Sequence, residues 1–257
     1  MMVAACGGGE RAQAPRSCGV TLLASAGGNS IFTTEPADAV VFRGRLAVDA
    51  DGSPRAYHPG NRGLDDLAAA RDAAGRLSPD VLAFRNGQPY IQGSGDPAPG
   101  YYVSMTSLRR QSGDDWDQRR YVDAGEVPYI VLPQGPAQAR LNAAGVDLGD
   151  LAIVYNTARE TWRPAIVAEY GPADALGEGS MRLADELGYD PDPRRGGTEA
   201  RENLFLIFAA TRASPSWPRD VDEIDATAAQ RFAAWGGVRR LLTCGVDDPR
   251  TTALSRR

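Results

Sequence analysis

Apolar residues along the chain gather in short runs broken by glycine, proline and aspartate, and only one stretch near the C-terminus carries a sustained helical stripe. Ala39-Val40-Val41-Phe42 and Gly44 to Asp49 read as strands, with Asp51-Gly52 forming a tight turn after the second. Gly63 to Ala70 predicts a short helix ending near Gly75. Val81 to Phe84 and Pro89 to Ile91 flank Asn86-Gly87, a strong hairpin signal. Tyr101 to Leu108 alternates as a strand does, and Tyr129 to Leu132 is a continuous apolar run stopped by Pro133.

The segment from Gly149 to Gly188 is the most orderly. Leu151 to Tyr155 and Pro164 to Glu169 predict two strands, and Gly171-Pro172 turns the chain. Gly177-Glu178-Gly179 predicts a turn, followed by a helix from Met181 to Leu187 capped by Ser180 and stopped by Gly188. Leu204 to Phe208 is another buried strand. Asp220 to Trp235 predicts an amphipathic helix, with Val221, Ile224, Ala228, Phe232 and Trp235 on one face. Residues 1–17 are rich in Gly, Ala and Pro and read as a flexible tether, leaving 18–257 as one domain. Gly and Pro are abundant, at 29 and 18 of 257 residues, which favours turns and short strands over a helical bundle.

Composition narrows the chemistry. All 28 basic residues are arginine, so Schiff-base, phosphate-loop and kinase-type lysine chemistry is excluded. With His58 as the sole histidine, a multi-histidine zinc site cannot be built; no metal or other cofactor is expected. His58, preceding Pro59, is expected to be a structural hydrogen-bonding residue. The formal charge of −5 and the lack of a long basic run give no support for nucleic-acid binding. What is plentiful is carboxylate, with 33 Asp and Glu residues.

Val3-Ala4-Ala5-Cys6 followed by Gly7-Gly8-Gly9 resembles the end of a bacterial lipoprotein signal, which implies export and a lipid tether at Cys6. Cys18 and Cys244 then remain, either as a disulfide pair or as two buried thiols.

Glycoside hydrolysis needs two carboxyl groups, one to protonate the leaving oxygen and one to activate water or attack the sugar. Glu169, at a strand end, and Glu178, between two glycines, stand nine residues apart and are the candidate pair. The helix starting after Ser180 brings partial positive charge near Glu178, which favours a base; burial would favour an acid instead. Asp49, Asp51 and Asp123 are candidates for binding cationic sugar units, or else turn and strand-end caps. Tyr57, Tyr170 and Trp162 are candidates for stacking on sugar rings or for core packing.

The run from Ala165 to Pro172, together with Leu176-Gly177-Glu178-Gly179-Ser180-Met181-Arg182-Leu183-Ala184, resembles the signature of the fungal-type chitosanases, glycoside hydrolase family 75, and their bacterial relatives. The similarity extends over about residues 40–210, through Leu46 to Gly52, Ala56-Tyr57-His58-Pro59, Gly100 to Ser104, Tyr121 to Ala124, Val127 to Pro133 and Leu148-Gly149-Asp150. The resemblance implies an inverting endo-hydrolase of chitosan with Glu169 and Glu178 as the catalytic pair. Asp49, Asp51, Tyr57, Asp123, Tyr170 and Ser180 are the residues expected around the substrate.

The family carries Asp where Glu169 stands. The extra methylene displaces the carboxyl by about 1 Å, and an error of that size can cost about 100-fold in rate. The element order also resembles the six-stranded double-psi β-barrel, so the expected fold is mainly β: a six-stranded barrel core with a few peripheral helices. The expected partner is an amino-sugar polymer bound by a monomer outside the cytoplasm. Two other readings remain open: cleavage of peptidoglycan glycan strands, and a non-catalytic carbohydrate-binding module.

Overall fold

The computed structural model describes residues 18–244 and residue 246. The segment read as a tether, with Cys6, lies outside the described residues.

In chain order the elements are β1 (Gly19–Ala26), β2 (Asn29–Glu35), β3 (Ala39–Asp49), β4 (Phe84–Arg85), β5 (Gln88–Pro89), β6 (Tyr129–Pro133), α1 (Pro136–Ala143), β7 (Leu151–Asn156), β8 (Thr161–Gly171), β9 (Glu178–Ser180), α2 (Met181–Glu186), β10 (Thr198–Phe208), α3 (Val221–Trp235) and α4 (Gly237–Thr243). Six strands close on themselves in the order β3-β10-β7-β8-β6-β9 and back to β3, which gives the expected six-stranded barrel. The β3–β9 and β6–β8 pairings are parallel; the other four are antiparallel. The β1–β2 hairpin extends the wall beyond β3.

The alternation of each barrel strand feeds two apolar clusters. Because α3 packs on β7 and β8 from outside, the face turned away from it is the barrel interior. That interior holds Phe42, Leu46, Val48, Ile130, Leu132, Val154, Val167, Phe205 and Ile207. The outer cluster joins Tyr129, Val131, Ile153, Ile166, Ala168 and Leu206 to Ile224, Ala228, Phe232 and Trp235 of α3, the face expected from the helical stripe. Asp220 caps α3, accepting from the amides of Asp222 and Glu223. Cys18 and Cys244 form a disulfide that ties the first described residue to the end of α4.

The elements expected at residues 63–70 and 101–108 need correction. Gly63 to Ala70 is a series of turns rather than a helix. Its amides go elsewhere: Leu64 and Asp65 donate to the carbonyls of Arg55 and Ala56, and Leu67 to the Asn61 side chain. Side-chain and long-range acceptors replace the helical ones. Tyr101 to Leu108 is extended but is not a strand. Successive amides find Tyr57, Tyr90, the Gln118 side chain and Val81 as partners, so no ladder forms.

Candidate active site

β3 leaves the wall at Asp49, and the chain rejoins it only at Tyr129. The residues between fold over the outer face of β3, β9, β6 and β8, held in part by the Leu108 amide on the Ala168 carbonyl at 2.8 Å. A groove of about 1000 Å³ lies between this cover and the wall, and Asp49, Asp51, Tyr57, Glu169, Tyr170 and Glu178 all line it.

The register explains why the two glutamates meet there. On β3, Leu46 and Val48 point into the barrel, so Arg45, Ala47 and Asp49 lie on the outer face. β9 runs parallel beside it with Glu178 opposite Ala47, and on its other edge Glu178 is opposite Val131 of β6. The far edge of β6 pairs with β8, where a bulge intervenes: Ile130 is opposite Val167, but Val131 is opposite Glu169. Strict alternation from the interior residue Val167 would send Glu169 inward. The extra residue, Ala168, resets the phase, and Glu169 joins Val131 on the groove face. Glu178 and Glu169 thus flank one valine from opposite sides, two strand spacings apart, or about 10 Å between backbones. Gly171 keeps the space open: a Cβ there would sit 2.9 Å from Val131 Cγ1 and 3.4 Å from Glu178 Oε2.

The two carboxyls differ in their partners. Glu169 is buried and accepts three hydrogen bonds, from the Ser107 amide at 2.7 Å, the Ser107 hydroxyl, and the Tyr170 amide at 2.8 Å. Its side chain folds back onto its own strand, at the Tyr170 amide, and onto the cover, at Ser107. Glu178 has no protein hydrogen bond to its carboxyl among the described residues. Burial is the main force pushing both up, each to about 8. For Glu178, Asp49 adds to burial and Arg45 opposes it. The helix terminus at Ser180 therefore does not lower Glu178: α2 is only six residues long, and the carboxyl meets Asp49 and the groove. Three hydrogen bonds favour charge on Glu169, whereas Glu178 has the Arg45 charge but no hydrogen-bond donor among the described residues, so Glu178 is the better placed of the two to hold a proton.

The aspartates form a network behind the pair. Asp49 accepts from the Tyr129 hydroxyl at 3.0 Å and the Asp51 amide at 2.8 Å. Asp51 accepts from the Tyr57 hydroxyl at 2.8 Å. Burial raises Asp49 to about 6, and burial with the neighbouring Asp49 charge raises Asp51 well above the carboxylate range. Asp49, the less raised of the two, is the charged member, and Asp51 keeps a proton.

Several candidates fall outside the groove or serve it in another way than expected. Ser180 is fully buried; its hydroxyl accepts from the Tyr129 and Leu183 amides and donates to the Val127 carbonyl, so it caps α2 and does not face the groove. Asp123 is absent from the groove lining and accepts from the Gly125 amide in a turn. Trp162 packs on Phe232 at 5.2 Å between ring centroids, as a core residue does. Tyr57 is buried and reaches the groove through its hydroxyl rather than as a stacking platform. The Tyr170 hydroxyl bonds to Asp147 at 2.9 Å. His58 accepts from the Gly60 amide at 2.9 Å, the structural role expected of it.

Ser107 and Tyr129 were not visible as site residues in the sequence. Each lies in a segment whose pattern reads as an ordinary strand, and only the tertiary pairing assigns its hydroxyl. Among the described residues no group of three or more His, Cys, Asp or Glu is placed to hold a metal ion. No protein-family model matches the chain, and no curated protein matches it.

Proposed function

We propose that the chain is an endo-acting glycoside hydrolase cleaving β-1,4-linked glucosamine polymers of the chitosan kind with inversion. The observation that carries this reading is the pair of glutamates flanking Val131 in one groove. Inverting enzymes hold their carboxyls about 6.5–9.5 Å apart, leaving room for a water, whereas retaining enzymes hold them at about 5–5.5 Å. The strands carrying the two glutamates stand two spacings apart, about 10 Å between backbones, which leaves the wider arrangement within reach of their side chains.

Glu178 donates its proton to the glycosidic oxygen as the C1–O bond breaks. Glu169, whose three donors leave one lone-pair position vacant, accepts a proton from the water that attacks C1 from the opposite face. Exchange with solvent then takes the proton from Glu169 and returns one to Glu178. The groove's charge supports a cationic substrate: with Asp51 and Glu178 protonated, the carboxylates of Asp49, Asp65, Asp80, Asp115 and Glu169 line it against Arg45, Arg71 and Arg109. The Cys18–Cys244 disulfide supports an exported protein, since such bonds persist in oxidising compartments.

A reducing-end assay on chitosan tests the reading. Wild type is expected to release new ends and Glu178→Gln none. Binding of chitosan oligomers without shortening would favour a non-catalytic carbohydrate-binding module, and release from purified cell wall alone would favour a peptidoglycan glycan-strand hydrolase.

A further inference from the structure

Resting on the hydrolase reading, a role for Asp49 follows from the alternation of β3. Arg45, Ala47 and Asp49 share the outer face, and Glu178 stands opposite Ala47, so Glu178 lies between a cation on one side and an anion on the other. The cation is drawn away: Arg45 Nη1 reaches Glu199 Oε1 at 2.8 Å and Oε2 at 3.1 Å. The anion is held by the Asp51 amide on one oxygen at 2.8 Å, while the Tyr129 hydroxyl lies 3.0 Å from the other and shares its single proton between that oxygen and the Asp51 carbonyl at 2.9 Å.

We propose that Asp49, held by the Tyr129 hydroxyl, is the positioning residue that keeps a proton on Glu178, so that Glu178 enters the reaction as the acid. Other charges act on Glu178 from the elements around it: Glu169 from β8 and Asp65 from the cover both disfavour its carboxylate, and Arg45 from β3 favours it. Asp51, being protonated, adds little. Asp49 stands one diagonal from Glu178 on the paired strand, on the order of 7 Å away by the spacing of neighbouring strands. Asp49 therefore does not need to touch the substrate to control the chemistry.

The test is a carboxyl titration of the whole chain by NMR, with glutamates carrying ¹³C at Cδ and the Glu178 signal assigned by its loss in Glu178→Gln. The Glu178 midpoint is expected near 8 in wild type. It should fall by about 1 pH unit or more in Asp49→Asn, the size expected for removing a charge at that range in a partly solvated site. Tyr129→Phe should lower it in the same direction by less, because Asp49 then competes for the proton. An unmoved Glu178 midpoint in Asp49→Asn overturns the assignment; if that variant does not fold, an unmoved midpoint in Tyr129→Phe overturns it. The titration needs no substrate, so failure of wild type to cleave chitosan would refute the hydrolase reading without deciding the role of Asp49.

Discussion

Replacing Glu178 with Gln is expected to raise stability at alkaline pH while removing activity. The folded chain holds a proton on Glu178 up to about 8, whereas an ordinary glutamate releases it near 4.5. The folded state therefore binds more protons than the unfolded one between these values, and stability falls as pH rises from 4.5 through 8. Each pH unit of that rise corresponds to ~1.4 kcal/mol, so an isolated, fully dry group would withhold about 5 kcal/mol above pH 8. Glu178 is half-buried at the groove and shares its proton with neighbours, which reduces the figure to about 1–2 kcal/mol. In a chain of this size ~1 kcal/mol moves Tm by about 2–4 °C. Differential scanning calorimetry of both proteins between pH 4 and 9 should then give equal Tm values near pH 4, and a Glu178→Gln curve a few degrees higher at pH 8. Equal curves at pH 8, or a wild-type Tm that rises from pH 5 to 8 more steeply than that of the variant, would refute the reasoning.

Three further outcomes are expected. Ser107→Ala removes one of three donors to the Glu169 carboxylate, which should raise the acid limb of the pH–rate profile by about 1 unit, a bond to charge being worth roughly 1.5–3 kcal/mol; an unmoved limb would remove Glu169 from the base role. Gly171→Ala pushes a methyl against Val131 and the Glu178 carboxyl, so chitosan hydrolysis should drop about 10- to 100-fold with a stability loss of about 1–3 kcal/mol in urea titration. Cys18→Ser opens a link between residues 226 apart, and the chain-entropy model places the loss at up to about 5 kcal/mol, measurable as a lower urea midpoint.

Much of the frame was legible in the sequence because it rests on local pattern. The apolar runs at Tyr129, Leu151 and Leu204 are wall strands, the stripe from Val221 to Trp235 is the face that meets the barrel, and Asn86-Gly87 turns the β4–β5 hairpin. The shortfalls have physical causes. Gly177-Glu178-Gly179 has turn composition, yet residues 178–180 form a strand, since pairing to β3 and β6 on both edges outweighs propensity. Nothing in Ala165 to Glu169 announces the bulge at Ala168, although the bulge alone turns Glu169 toward the groove. The hairpin at residues 19–35 and the helix at Pro136 carry weak amphipathic patterns and went unspecified. Of the candidate residues, those on paired strands (Asp49, Glu169 and Glu178) converge, whereas Ser180 and Asp123 serve the caps and turns that their types commonly serve.

Whether two glutamates on either side of Val131 cleave a sugar polymer by a single displacement is most directly read from the first product formed. Proton NMR of a chitosan hexamer, recorded within minutes of mixing, should show the α-anomer at the new reducing end before mutarotation. Initial appearance of the β-anomer, or an intact hexamer after prolonged incubation, would contradict the account.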